Sequence, residues 1–253
     1  DGVQRRWLRR RQRERWLRVV NELHREAPAR VGVAVPAAGF GRRMGGARKP
    51  LLELGGEPLL LHALRPFLAD SRVVAICVAM TGDDAKDPPV WLTRVDERID
   101  VVEGGATRGA SVARAVAALP DDVSVIAVHD AARPLVAHDV IARCIDIAHA
   151  GFGAVAGTPA VDTIKRVDAR SFVTGTPDRS MLWHAHTPQV FPAPILRAAY
   201  DSGIDTATDD AALVEATGGR VRMVEDGGTN LKVTRPVDLV IAEAILSARE
   251  ASG

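Results

Sequence analysis

Residues 31–49 read VGVAVPAAGFGRRMGGARK. Val31, Gly32, Val33, Ala34 and Val35 are apolar or small and of strand character, and the run then breaks into Pro36-Ala37-Ala38-Gly39-Phe40-Gly41 and a basic cluster. Such a switch marks a buried strand that delivers a loop. Alanine and glycine let backbone N–H groups crowd a bulky anion, and glycine tolerates the positive φ of an anion-binding nest. Arg42, Arg43 and Lys49 add mobile cations within one loop length. Phosphate is the ligand that this combination suits.

Spacing excludes two familiar phosphate loops. A dinucleotide fingerprint needs a third glycine where this chain has Met44, and a Walker-type loop needs Gly-Lys-Ser/Thr where Gly46 is followed by Ala47 and Arg48. What remains, small-Ala-Gly-x-Gly-x-Arg followed by a lysine, resembles the signature of nucleotidyltransferases that couple a nucleoside triphosphate to a sugar or polyol phosphate.

Outward from the loop, strand and helix patterns alternate. A Gly55-Gly56 turn leads into a helix over 58–69 that starts at Pro58. Strands are expected at 73–79, 99–102, 123–128 and 154–157, with helical spacing at 82–97, 107–119 and 138–150. This order predicts a mostly parallel sheet with helices on both faces, and in such sheets ligands bind beyond the carboxyl ends of the strands. Two further loops fall there. Glu103-Gly104-Gly105-Ala106-Thr107-Arg108-Gly109-Ala110-Ser111 pairs close-approach glycines with Arg108 and with Ser111 in the first turn of a helix. His129-Asp130-Ala131-Ala132-Arg133-Pro134 ends another strand; its Asp130 suits a divalent cation or the hydroxyls of a ribose or acceptor, unless it merely caps a helix or pairs with Arg133. The seven histidines show no metal-ligand spacing and read as structural.

Composition limits the partners. The chain of 253 residues is 47% hydrophobic and 26% charged. It has no apolar run near the roughly 20 residues of a membrane span, so no membrane partner is expected. Residues 1–30 hold ten arginines and four acidic residues, a net +6, which leaves −5 on residues 31–253 from the chain's total of +1. A mildly acidic body argues against nucleic acid. The leader reads as a basic helical extension, with Trp16, Val19, Val20 and Leu23 at helix spacing up to Pro28. Cys77 and Cys144 read as buried, reduced thiols of a cytoplasmic protein.

With Asp162-Thr163-Ile164-Lys165, Asp178-Arg179, Leu182-Trp183-His184-Ala185-His186-Thr187-Pro188-Gln189, Thr208-Asp209-Asp210 and Asn230-Leu231-Lys232-Val233-Thr234-Arg235-Pro236 added to these loops, residues 31–249 resemble, in order, the 2-C-methyl-D-erythritol 4-phosphate cytidylyltransferase family. The resemblance implies a Rossmann-like three-layer sandwich over 31–253 with an extended β-arm at 158–187 for homodimerisation, and CTP with Mg²⁺ as the nucleotide. Carried over by position, Pro36, Ala37, Ala38, Gly39, Gly41 and Arg42 hold CTP, while Gly105, Arg108 and Ser111 hold its cytosine and ribose. Arg43 and Lys49 stabilise the transition state. Asp130, Thr163, Arg179, Thr187 and Lys232 hold the polyol phosphate, with Arg179 and Lys232 catalytic in orienting its phosphate and Thr163 and Arg179 serving the neighbouring subunit.

Pro50 stands where the family usually has glutamine, and Ala106 where it has an acidic residue, so base contacts differ there. A last helix is expected at 236–248, and the cyclodiphosphate synthase domain fused to some relatives is expected to be absent. Three alternatives stay open: a ribitol 5-phosphate cytidylyltransferase, differing around Thr163, Arg179 and Thr187; a nicotinamide-dependent oxidoreductase; and a nucleotide sensor that has lost its chemistry.

Overall fold

A computed structural model of the chain describes residues 27–39, 49–202 and 208–252. The leader at 1–26 and the loop residues Gly41, Arg42 and Arg43 lie outside them. In chain order the strands are β1 Val31–Pro36, β2 Glu53–Leu54, β3 Glu57–Pro58, β4 Val73–Met80, β5 Ile99–Glu103, β6 Val125–Val128, β7 Gly153–Pro159, β8 Arg166–Val167, β9 Val173–Gly175, β10 Trp183–Pro192 and β11 Val221–Glu225. The helices are α1 Leu59–Leu68, α2 Gly82–Lys86, α3 Val90–Val95, α4 Arg108–Ala118, α5 His138–His149, α6 Ala193–Tyr200, α7 Asp210–Ala216 and α8 Pro236–Ser252.

Seven strands form the central sheet in the order β11-β7-β10-β6-β1-β4-β5. β1 lies at its middle, parallel to β4 on one side and β6 on the other, and its residues 31–35 are buried on both faces. Val31, Val33 and Val35 join the layer under α1 and α5, with Leu64, Phe67, Ile141 and Ile145. Ala34 faces the opposite layer under α4, α6 and α7, with Val112, Val116, Leu196 and Val214. Gly32 is required on that side, since a Cβ there would sit 2.9 Å from Leu119. The β-branched residues thus fill the deeper layer, while the small ones let α4 approach.

The chain runs outward from β1 through β4 to β5, then returns to the other side of β1 with β6. That reversal is a topological switch point, and it opens a crevice beyond the carboxyl ends of β1 and β6. The five expected strands are present as β1, β4, β5, β6 and β7, and the helices expected at 58–69, 107–119 and 138–150 as α1, α4 and α5, each within two residues. α8 runs on to Ser252, past the expected 248. Segment 82–97 divides into α2 and α3 at Pro88-Pro89.

β10 and β11 lay outside the strand pattern read from the sequence. β10 is antiparallel to both β6 and β7, and its pairing with β7 slips between Ala185 and Gln189, so His186, Thr187 and Pro188 leave that ladder. Its polar, proline-containing composition hides a strand whose residues Thr187 to Pro192 are all buried. Residues 183–185 of β10 pair with β7, and the excursion between these two strands carries the small hairpin β8–β9.

Cys77 and Cys144 are buried and free of any disulfide. Burial pushes each thiol up to about 12, which leaves both as unreactive thiols.

Phe191, fully buried on β10, packs where Gly153 of β7 leaves room for its ring. Phe191→Ala should lower the unfolding free energy by about 3–5 kcal/mol, read from the urea midpoint at unchanged m-value.

Candidate functional site

Three loops meet at the switch point. Ala37 N–H donates to Ala79 O at 2.7 Å, which sets residues 36–39 against the end of β4. Gly104 N–H donates to Met80 O at 2.7 Å, and a Cβ on Gly104 would lie 2.5 Å from Ala38 Cβ. Only glycine allows the first two loops to touch. Thr107 caps α4 by accepting from Ala110 N–H at 3.1 Å, and Ser111 Oγ accepts from Gly105 N–H at 3.0 Å. Ser111 is buried, so it braces the glycine loop from within the first turn of α4. Together these loops bound a cleft of about 540 Å³. Residues Pro36 to Gly39, then Gly105, Arg108 and Ser111, then Asp130 and Lys232 all line it, with Pro50 and Ala106 at its wall.

The charged centre is Asp130, at the carboxyl end of β6. Its carboxylate accepts from Arg108 Nε at 2.9 Å and from Lys232 Nζ at 2.6 Å. Arg108 also reaches Asp210 at 3.0 Å, and Tyr200 donates its hydroxyl to the other Asp210 oxygen. Burial would raise the Asp130 carboxyl, but Arg108 and Lys232 outweigh it and hold the group well below the usual carboxylate range. Burial likewise opposes the charge on Arg108, and the carboxylates of Asp210 and Asp130 hold that guanidinium above its ordinary range. Two cations are balanced by two carboxylates in this cluster.

Lys232 is delivered by a tethered loop. Val233 is fully buried beside Leu54 and Leu135, and its N–H donates to Ala132 O at 2.8 Å. Asn230 Nδ2 donates to Thr187 O at 2.8 Å and Asp226 Oδ2 at 2.9 Å, and Arg133 Nη1 donates to Asn230 O at 2.7 Å. Asp226 also pairs with His186 Nδ1 at 2.7 Å. These bonds hold three chain segments in register, and Lys232 Nζ retains two N–H donors beyond the one given to Asp130.

Some expectations take a different form. Arg133 does not pair with the Asp130 side chain; only its backbone N–H donates to Asp130 O, at 2.9 Å. Thr187 is buried on β10, and its hydroxyl is engaged with Asp130 N–H at 3.0 Å and His129 Nδ1 at 3.1 Å. Thr163 and Arg179 are exposed on the arm and do not line the cleft; Arg179 donates to Val161 O within the arm. Lys49 opens a 3-10 turn, Lys49–Leu51, beside the cleft wall at Pro50. Asp210, Tyr200 and His129 escaped the sequence reading as site-forming residues. The Thr208-Asp209-Asp210 motif was the one available signal, and it carried no partner until Arg108 was placed.

A Mg²⁺ site built wholly from protein does not fit. Among the described residues no three His, Cys, Asp or Glu side chains could share a metal, and both Asp130 oxygens already bind cations. What fits is an ion carried mainly by nucleotide phosphates and water, with one carboxylate nearby.

Comparison with known proteins places these features in context. The family model for 2-C-methyl-D-erythritol 4-phosphate cytidylyltransferase matches residues 31–248. A protein of that name from Parasynechococcus marenigrum (strain WH8102) is 41% identical over 221 residues, 85% of this chain and 97% of the relative. The crystal structure of a 4-diphosphocytidyl-2C-methyl-D-erythritol synthase from Anaerococcus prevotii superposes with a TM-score of 0.77 at 26% identity, covering 87% of this chain and 96% of that one. That of the cytidylyltransferase from Thermus thermophilus gives 0.70 at 32% identity, covering 85% and 98%.

Because its folded pKa is depressed, Asp130 adds stability that is complete above the ordinary carboxylate pKa of about 4 and is lost as the pH falls below it. Asp130→Asn should cost about 1–3 kcal/mol near neutral pH, less than a fully buried pair because Arg108 and Lys232 reach solvent. Urea unfolding should show that gap closing as the pH is lowered from about 4 toward 3. A gap independent of pH would remove Asp130 from the ion-pair cluster.

Proposed function

The chain belongs to the 2-C-methyl-D-erythritol 4-phosphate cytidylyltransferase family, and from that premise we propose that it joins CTP to 2-C-methyl-D-erythritol 4-phosphate. The products are 4-diphosphocytidyl-2-C-methyl-D-erythritol and pyrophosphate. The observation that carries this reading is Lys232 on Asp130 beside Arg108, at the mouth of a loop bed made of alanine and glycine.

A phosphate monoester is already ionised near neutral pH, its second pKa being about 6, so no general base is needed. Its oxygen attacks the α-phosphorus of CTP in line; the new P–O bond forms as the bond to the β-phosphate oxygen breaks, and pyrophosphate leaves with that electron pair. The obstacle is repulsion between two polyanions. Backbone N–H groups of 37–41 with Arg42 receive the triphosphate, and Arg43 and Lys49 meet the charge that builds at the α-phosphate. Gly105, Arg108 and Ser111 shape the cytidine pocket. Asp130 accepts from acceptor hydroxyls while Lys232 offers its remaining N–H donors to the acceptor phosphate. A Mg²⁺ ion bound with the nucleotide would supply screening of the phosphate charge.

The arm supplies the rest. Val161, Phe172, Val173 and Met181 are 60–80% exposed on it, an apolar set that a second copy of the chain would cover. Thr163 and Arg179 then complete the partner's site, in a cytoplasmic homodimer.

Pyrophosphate release with CTP and Mg²⁺ should proceed with 2-C-methyl-D-erythritol 4-phosphate and be far slower with ribitol 5-phosphate; release with the second acceptor alone would overturn the substrate. Lys49→Ala should lower kcat by roughly 10²-fold or more, the usual cost of one lost transition-state contact. Mixing inactive Arg179→Ala and Lys232→Ala variants should restore partial turnover, because each mixed dimer then holds one intact site. No recovery after subunit exchange argues against a shared site.

A further inference from the structure

We propose that fully buried His129 is a positioning residue for the acceptor, acting in a relay through the Thr187 hydroxyl and the Asp130 backbone amide. The proposal deepens the function given above and rests on it. Four groups lie in a chain. Arg133 O is 3.0 Å from His129 Nε2, His129 Nδ1 is 3.1 Å from Thr187 Oγ1, and Thr187 Oγ1 is 3.0 Å from Asp130 N. A carbonyl only accepts and a backbone amide only donates, so both ends of the chain are fixed in sense. His129 therefore carries its proton on Nε2, its Nδ1 accepts the Thr187 hydroxyl, and the same hydroxyl oxygen accepts from Asp130.

The relay spans the two strands that frame the crevice. His129 N–H donates to Ala34 O of β1 at 3.0 Å, and Thr187 sits at the slip in β10. His129 is fully buried, its ring 5.1 Å from that of Phe67, and burial pushes its imidazole down to about 4. It stays neutral near pH 7 despite facing Asp130, Arg133 and Arg108. Neutrality matters, because a second proton on Nδ1 would oppose the Thr187 hydroxyl. The slip that interrupts the β10 ladder thus aims one hydroxyl at the amide of the residue that binds Lys232.

Acceptor kinetics and a spectroscopic readout test this together. Thr187→Val and His129→Asn should each lower kcat/KM for 2-C-methyl-D-erythritol 4-phosphate by roughly tenfold or more, as small misplacements of a binding group do, while KM for CTP stays within about twofold. Thr187→Ser should keep both parameters near the parent's. In the double variant the losses should not multiply, since one relay is broken twice. Multiplying losses, or a folded His129→Asn protein with parental acceptor kinetics, would overturn the proposal. Long-range ¹H–¹⁵N spectra of the unaltered chain, with His129 assigned through its contact to Phe67, should show the neutral Nε2–H tautomer near pH 7. A cationic ring or the Nδ1–H tautomer overturns the relay whatever the variants do. Turnover of the parent in the same assay tests the reaction itself, so the two failures are distinguishable.

Discussion

The ion pairs that Asp130 makes with Arg108 and Lys232 are what the remainder of the site is built to hold. Those three residues come from the end of β6, the start of α4 and the loop before α8, and no two are close in sequence. A carboxylate with so little exposure is tolerated only because two cations face it. In turn, those cations stay in place because the carboxylate and Asp210 hold them.

Among the described residues the charges of the cluster cancel: Arg108 and Lys232 face the carboxylates of Asp130 and Asp210, so the cluster is held together internally.

Much of this was legible before any fold was seen. The phosphate loop was readable because its chemistry is local: a strand, a bed of small residues and cations within one loop length. The alternation of strands with helices placed the loops at the same end of a parallel sheet. Asp130 could be singled out as a charge at the end of an apolar strand. The hydrogen bonds of Thr187 to Asp130 and His129 were not legible, because they follow from a slip in an antiparallel pairing that no local pattern announces.

The amino-acid sequence by itself determined the layered α/β class and the family to which the chain belongs, since each rests on residues near one another or on motif order. Only the tertiary structure decided which cation meets which carboxylate, that Ser111 and Thr187 brace loops from behind, and that His129 is the buried hub between β1 and β10. The physical reason is that these hydrogen bonds and ion pairs join segments as far as 102 residues apart, as Arg108–Asp210 and Asp130–Lys232 do, and those distances exist only once the sheet has set its strand order.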